Sequence, residues 1–206
     1  MMHANAYGYV FAGDYISPEG EVPSTGLPGI DWETCQTMQL PNNWGYNRLV
    51  GYRPFNDLLR QLIDVTSKGG NLLLNIGPAA DGEILPQARQ CLEKFATWMK
   101  VNGEAIHGTT ASPFESLPFE GRCTQKPGVL YLHLFTWPKD GKLLVPRSPG
   151  ANRWRMEDCG GRNRHGHEKR VKFPASQGAL VPPDRRRGQA CWHTRWRAGD
   201  RGISVV

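Results

Sequence analysis

The stretch from Ser67 to Ile84, SKGGNLLLNIGPAADGEI, constrains the fold more than any other part of the chain. Two glycines, which commonly end a helix, precede a short apolar run that ends in Asn, Gly and Pro before an acidic turn. A continuous apolar run of this length is typical of a strand buried on both faces in a parallel sheet. Loops at the carboxyl ends of such strands carry the active sites of α/β enzymes. The stretch therefore predicts a parallel α/β sheet with a functional loop after residue 75.

Two amphipathic helices are predicted on either side of this run. The first ends at the Gly69–Gly70 pair, and its apolar residues recur at helical spacing: Phe55, Leu58, Leu59, Leu62 and Ile63. The second begins near Pro86 and ends at Asn102–Gly103. Its predicted apolar face is Leu92, Phe95, Ala96 and Met99. Strands are predicted upstream at residues 7–16 and 31–38, so strands alternate with helices as in α/β folds.

The chain divides into three segments of different character. Residues 1–108 have the α/β pattern. Residues 109–146 are predicted to begin a β-domain, with neighbouring strands at 128–138 and 141–146. Residues 147–206 lack helix or strand periodicity and form a predicted basic, irregular tail. This tail has 14 Lys or Arg against 5 Asp or Glu, about +9, which leaves about −3 for the first 146 residues because the whole chain carries +6.

The composition of the tail leads to a hypothesis about its origin. It combines Arg, Gly, Pro, Trp, Cys and His, whereas ordinary flexible tails favour Ser, Glu, Lys and Gln. We hypothesise that a reading-frame shift in a GC-rich gene produced it. The source DNA tests this, because another frame should then encode a continuation of the β-domain.

Composition also bears on the compartment and on metal binding. The chain has no run of about 18 apolar residues, which predicts no membrane span, and its start lacks a signal-peptide pattern. Its five cysteines are odd in number and contain no CxxC pair. We therefore expect a cytoplasmic protein with free thiols and neither a metal nor a cofactor.

Four motifs together resemble a known family. GDYISPEGEVP, DWETCQTM with NNWGYN, SKGGNLLLNIGPAADGEI and WMKVNGEAIHGT resemble, in order, the C-terminal part of the catalytic barrel of α-L-fucosidases. The resemblance runs from about residue 8 to 146. It implies the second half of a TIM-type (β/α)8 barrel followed by the start of a β-sandwich-like domain. It also implies a retaining glycosidase that releases terminal α-L-fucose from fucosylated glycans or aryl fucosides without a cofactor.

The resemblance also points to catalytic carboxylates. Retaining glycosidases use two carboxyl groups roughly 5–5.5 Å apart, one as nucleophile and one as acid/base. The Ser-Pro-Glu segment matches the family's acid/base loop and points to Glu19, which we expect to keep its proton through partial burial. Glu21 and Glu33 are the rival carboxylates. The family's nucleophile is an aspartate that would precede residue 1, so Asp14 is the nearest internal candidate for this role.

Aromatic residues are candidates for sugar binding. Trp44 matches an aromatic that packs against the sugar in the family, and an indole suits the apolar face and C6 methyl group of fucose. The alternative is a packing role. Tyr46 lies in the same loop. For Trp32 the sequence favours a core position and a pocket position equally. Asn75 is interpreted as a structural amide, and Asp81 with its following glycine as a turn.

Half a barrel would leave two open sheet edges and an uncovered apolar surface. Such surfaces favour association with copies of the same chain, so we expect a homo-oligomer. Loss of the nucleophile leaves two functional alternatives open: a truncated but active fucosidase, and an inactive fragment that binds fucose.

A third interpretation treats the tail as a nucleic-acid-binding arm. Residues 185–187 are three arginines, and Trp154, Trp192 and Trp196 lie between other arginines, so they could bind phosphates and stack on bases. A basic segment with only nonspecific affinity is the favoured reading. We therefore expect no specific nucleic-acid partner and no membrane partner.

Overall fold

A computed structural model of the chain describes residues 13–40 and 43–136, together with backbone segments at 155–158, 194–197 and 202–205. The chain divides into two compact units, residues 1–111 and 112–206. The boundary expected after residue 108 lies three residues before this division.

The first unit contains a parallel β-α-β unit. Its elements are β1 (Glu33–Thr37), α1 (Phe55–Ser67), β2 (Asn71–Asn75) and α2 (Pro86–Asn102), followed by a 3-10 turn (Gly103–Ala105). β1 and β2 pair in parallel, with the first residues of the two strands opposite each other and likewise the last. This pairing confirms the predicted α/β organisation of the segment.

α1 is the amphipathic helix that its sequence predicts. Leu58, Leu59 and Ile63 are buried along one face. The helix ends where the Gly69 N–H donates to the carbonyl of Thr66 at 3.0 Å, and Gly69 has a φ of +79° that a side chain would disfavour. The reversal turns the chain directly into β2.

β2 differs from its prediction, because only one face of the strand is covered. Leu72 and Leu74 pack into two separate apolar clusters on the helical side. Leu73 points the other way and is 51% exposed. Among the described residues, the helices cover one side of this sheet, so the prediction of burial on both faces is wrong.

α2 starts and ends at the predicted residues, but its predicted apolar face is partly wrong. Cys91 is buried, and Phe95 packs edge-on against Phe55 with ring centroids 5.0 Å apart. Leu92 is 36% exposed, and Ala96 is exposed. The buried face of the helix is therefore centred on Ala88 and Cys91, with Phe95 packed against the same cluster.

A third parallel segment lies along the other edge of β1. Ile16 pairs with Trp32, and Glu19 pairs with Cys35. The Gly20 N–H donates to the Cys35 carbonyl at 2.9 Å. Only the end of the strand predicted at 7–16 is visible in this pairing, because residues 7–12 lie outside the described residues.

The second unit is built on an antiparallel hairpin of β3 (Gly121–Lys126) and β4 (Val129–Leu134). Pro127 and Gly128 form the two-residue connection, and Gly128 has a φ of +80°. A proline followed by a glycine with positive φ matches a type II turn. The apolar core of this unit contains Cys123, Leu130, Leu132 and Leu134.

Three short strands lie within residues 147–206, so the prediction of an irregular tail is wrong for these segments. They are β5 (Arg155–Asp158), β6 (Thr194–Arg197) and β7 (Gly202–Val205). β5 pairs with β6 in antiparallel fashion, and β7 pairs in parallel with β4. The β-branched residues of β7 suit a strand position beside β4.

The remaining predictions for this part of the chain fall largely outside the described residues. This applies to the strand predicted at 141–146, to the arginines at 185–187, and to Trp154 and Trp192. The backbone of Trp196 is part of β6.

Three of the five cysteines lie in the described residues, and all three are free thiols, as predicted: Cys35, Cys91 and Cys123. No described helix combines the length and the apolar character that crossing a membrane requires.

Candidate active site

The carboxyl ends of β1 and β2 are joined by backbone hydrogen bonds. The Met38 N–H donates to the Asn75 carbonyl at 3.1 Å, and the Arg53 N–H donates to the Met38 carbonyl at 2.8 Å. The Arg53 guanidinium also donates to the Thr37 carbonyl at 3.3 Å. These contacts fix one edge of the sheet, which is where α/β enzymes place functional loops.

A five-residue loop, residues 43–47, lies over this edge, and we call it the Trp44 loop. The Gln39 amide contacts both ends of the loop: Oε1 accepts from Asn43 Nδ2 at 3.1 Å, and Nε2 donates to the Asn47 carbonyl at 3.2 Å. Asn43 Nδ2 also donates to the Gly45 carbonyl. The side-chain amides of Gln39 and Asn43 thus donate to the backbone carbonyls of the loop and hold it in place.

The Trp44 loop presents two aromatic side chains to solvent. Trp44 is 39% exposed and Tyr46 is 46% exposed. Both were predicted to contact a sugar, and both are accessible to one. Large exposed aromatics on a held loop are suited to packing against a flat ligand face.

Tyr52 adjoins this loop and was not predicted as a site residue. Its hydroxyl oxygen is buried without a hydrogen-bond partner among the described residues. Burial raises the pKa of Tyr52, and Tyr46 raises it further. The phenol is therefore a neutral donor without a partner beside the loop.

Two predicted carboxylates share one face of the sheet. Ser17 Oγ and Cys35 Sγ lie 3.6 Å apart, so their side chains point to the same side. In the parallel register that pairs Glu19 with Cys35, residues 17, 19, 33 and 35 lie on that side. Glu33 is two residues before Cys35, so its Cα lies about 7 Å along the strand from the Glu19 level. The register therefore brings Glu19 and Glu33 to neighbouring positions.

The surroundings of Glu19 differ from the expectation. Glu19 is exposed, so the predicted partial burial of the acid/base is wrong. Asp14 is also exposed and lies in a bend before the paired segment, and no register aligns it with Glu19. Glu33 is half-buried at the amino end of β1. Among the described residues, no hydrogen bond or ion pair joins these three carboxylates.

Trp32 is a core residue, and its candidate role in substrate binding is not supported by its position. It is 1% exposed and packs with Ile16, Leu27 and Val65. A Cβ atom on Gly70 would lie 2.4 Å from its ring, so a glycine is required there. Of the two alternatives for Trp32, the structure selects the core.

The turn after β2 has the predicted form. Asp81 Oδ1 accepts from the Glu83 N–H at 3.0 Å, and Gly82 has a φ of +85°. Asn75, interpreted as an amide that bonds neighbouring loop backbone, accepts the Met38 N–H through its own backbone carbonyl. Its side-chain oxygen is buried without a partner among the described residues, so no bond from this oxygen to loop backbone is seen there.

Gln39 and Asn43, like Tyr52, are site residues that sequence reasoning missed. Gln39 is buried, with 2% of its surface exposed. No motif in the preceding strand predicts that a polar residue is buried at this position. The run of Asn, Gly and aromatic residues from 42 to 47 was the available signal, because asparagine side chains commonly bond loop backbone. Metal binding has no comparable support, since the described residues contain no cluster of three His, Cys, Asp or Glu side chains.

The chain is similar in sequence to a known protein family. Residues 2–104 match the family model described as alpha-L-fucosidase. The plasma alpha-L-fucosidase of Pongo abelii is 35% identical over 144 residues, covering 66% of this chain and 30% of the relative. The plasma alpha-L-fucosidase of Homo sapiens is 37% identical over 121 residues, covering 55% and 26%. The chain thus spans less than a third of the length of these relatives.

Two solved structures are similar in fold. Alpha-L-fucosidase isoenzyme 1 from Paenibacillus thiaminolyticus is 31% identical, with a TM-score of 0.62, and the match covers 73% of this chain and 35% of that one. An alpha-L-fucosidase from Bacteroides thetaiotaomicron is 26% identical, with a TM-score of 0.63, covering 72% and 36%. The latter is a trapped covalent intermediate with 2-fluoro-fucosyl fluoride, obtained with a glutamate-to-glutamine mutant.

Proposed function

Because the chain belongs to the α-L-fucosidase family, we propose that it binds terminal α-L-fucose at the Trp44 loop and hydrolyses α-L-fucosides with retention of configuration. Its β-α-β unit would then be part of a (β/α)8 barrel, with the Trp44 loop at the carboxyl face. Fucosylated glycans and aryl fucosides are the proposed substrates. No cofactor is required for this chemistry.

One observation carries the catalytic part of the proposal. Glu19 and Glu33 share a sheet face at neighbouring positions, while Asp14 lies outside the register. A retaining mechanism needs two carboxyl groups roughly 5–5.5 Å apart that flank the scissile bond. We therefore assign acid/base chemistry to Glu19, and Glu33 and Asp14 are the candidates for the second carboxylate.

The proposed reaction has two steps. Glu19 donates its proton to the glycosidic oxygen while an oxygen of the second carboxylate attacks the anomeric carbon, so the alcohol leaves and a glycosyl ester forms. Glu19, now a carboxylate, takes a proton from water, and the water oxygen displaces the second carboxylate. Fucose leaves with its original anomeric configuration, and both carboxyl groups return to their starting states. The covalent intermediate of the Bacteroides thetaiotaomicron relative supports this sequence.

Leaving-group dependence tests the assignment of Glu19. A general acid matters little when the leaving group is nitrophenol, but it contributes roughly 10²–10⁴-fold when the leaving group is a sugar. We expect Glu19→Gln to lose far more activity on a fucosyl disaccharide than on a nitrophenyl fucoside. Loss of the second carboxylate, tested with Glu33→Gln and Asp14→Asn, should abolish both activities, and Glu21→Gln, a matched change in the neighbouring exposed loop, should lose neither. Equal losses of Glu19→Gln on both substrates would contradict the assignment.

The second candidate function is fucose binding without turnover, and a specific observation favours it. Glu19 is exposed, whereas a general acid is normally held in partly apolar surroundings that keep it protonated. Under this alternative, Trp44→Leu weakens L-fucose binding, Glu19→Gln leaves it unchanged, and no variant hydrolyses a fucoside.

We also propose that the chain forms a homo-oligomer in the cytoplasm. β2 pairs with β1 along one edge and has no second strand neighbour among the described residues. Leu73 lies on its uncovered face and is 51% exposed. Unpaired strand edges and exposed apolar side chains both favour self-association.

A further inference from the structure

We propose that Gln39 is the positioning residue of the sugar site, holding the Trp44 loop in the orientation that binds a fucosyl unit. The ligand part of this inference rests on the proposed function, whereas the positioning of the loop does not. Gln39 does not itself contact the sugar, because its side chain is 2% exposed beneath the loop.

Both polar atoms of the buried Gln39 amide are hydrogen-bonded to the loop. Oε1 accepts from Asn43 at the start of the loop, and Nε2 donates to the Asn47 carbonyl at its end. A carboxylate of the same size can make the first contact but not the second, since it has no donor. Only an amide of this length satisfies both.

The backbone around Gln39 is itself fixed by pairing and by a side-chain hydrogen bond. Gln39 forms antiparallel bridges to Asn43 and to Tyr52, and its carbonyl accepts from Thr37 Oγ1 at 2.9 Å. The Gln39 side chain therefore projects from an anchored backbone at the end of β1. The hydrogen bonds of this side chain therefore fix the position of the loop relative to the edge of the sheet.

Gly77 approaches both the loop and the Gln39 side chain closely. A Cβ atom on Gly77 would lie 3.2 Å from the Gly45 carbonyl oxygen and 3.3 Å from Gln39 Oε1. Gly77, two residues after β2, thus lies close to the loop, and the amide has little space to reorient. Trp44 and Tyr46, on either side of Gly45, project from a loop that contacts the segments following β1 and β2.

The closing experiment uses the full chain labelled with 5-fluorotryptophan, with the Trp44 resonance assigned by Trp44→Phe. We expect Gln39→Glu to shift this resonance towards its value in unfolded protein. The Leu49 and Val50 N–H groups donate to Asn47, to its side-chain oxygen and its carbonyl respectively. Their hydrogen exchange should become faster by about tenfold, because Asn47 loses its hydrogen bond from residue 39 and its carbonyl faces a carboxylate. L-fucose affinity should fall by a similar factor.

Gln36→Glu is the matched control. Gln36 is 3% exposed, and its amide donates to Thr34 Oγ1 within β1, so this change adds the same buried charge without touching the loop. If Gln39→Glu unfolds the protein, Asn43→Asp replaces it, since Asn43 is only half-buried. An unchanged Trp44 resonance and unchanged exchange in a folded Gln39 or Asn43 variant would overturn the proposal.

The outcomes also separate this proposal from the proposed function. A loosened loop with weaker fucose binding supports both. A loosened loop in a protein that never binds fucose supports positioning by Gln39 and refutes the sugar site. A loosened loop with unchanged fucose affinity overturns the link between the two.

Discussion

Replacing Trp32 by alanine tests whether this residue belongs to the core or to the sugar site. Trp32 is 1% exposed and contacts Ile16, Leu27 and Val65, so its removal leaves a cavity in an apolar cluster. Tryptophan-to-alanine changes at such positions cost about 3–5 kcal/mol of unfolding free energy. The indole N–H has no hydrogen-bond partner among the described residues, so the loss comes from packing alone.

Urea unfolding followed by far-UV circular dichroism measures this loss, with Trp44→Ala as the matched control. Trp44 is 39% exposed, so its removal should change the unfolding free energy by less than about 0.5 kcal/mol. L-fucose binding should show the opposite order, weakened by Trp44→Ala and unchanged by Trp32→Phe, which keeps most of the packing.

A Trp32→Ala protein within about 1 kcal/mol of the unchanged chain, with fucose binding reduced, would refute this reasoning. It would indicate that Trp32 contacts the sugar, and Trp44 could then no longer be assigned as the tryptophan that binds it.

Three further predictions concern packing, pH and association. Gly70→Ala places a methyl group 2.4 Å from the Trp32 ring, so we expect a loss of at least about 2 kcal/mol in urea unfolding, whereas Gly51→Ala, with open space around its Cβ, should change little. Burial lowers the pKa of His133 from 6.5 to about 3, so below pH 6.5 the unfolded chain binds a proton that the folded chain does not. Stability of the second unit should therefore fall as the pH is lowered from 6.5 towards 3, by at most about 1.4 kcal/mol per pH unit, and His133→Asn should remove this contribution; a slope unaffected by the substitution would contradict the assignment. Leu73→Lys should shift the protein from oligomer to monomer in size-exclusion light scattering while its far-UV circular dichroism spectrum stays that of a folded chain, and an unchanged mass would show that this face is not the interface.

The sequence predicted the elements whose patterns are local. The apolar residues of α1 repeat at helical spacing over three turns, and the Gly69–Gly70 pair ends that helix as predicted. The hairpin of β3 and β4 was only half predicted, because β3 contains mainly polar residues. The Pro127–Gly128 pair was the missed signal, since it fits the turn that joins them.

Features that depend on long-range packing could not be predicted. The exposure of Leu73 depends on what covers the second face of the sheet, which a continuous apolar run does not specify. The core position of Trp32 depends on the close approach of Gly70, 38 residues later in the chain. The role of Gln39 depends on two partners in a loop whose path no periodicity predicts.

The stereochemistry of the released sugar tests the central claim most directly. Proton NMR of an aryl α-L-fucoside, recorded during the first turnovers and before the anomers equilibrate, reports which anomer forms first. The account predicts α-L-fucose from the unchanged chain and none from Glu19→Gln on a fucosyl disaccharide. Initial release of β-L-fucose would contradict the two-carboxylate retaining mechanism. No release by a folded protein that binds L-fucose would leave binding as its function.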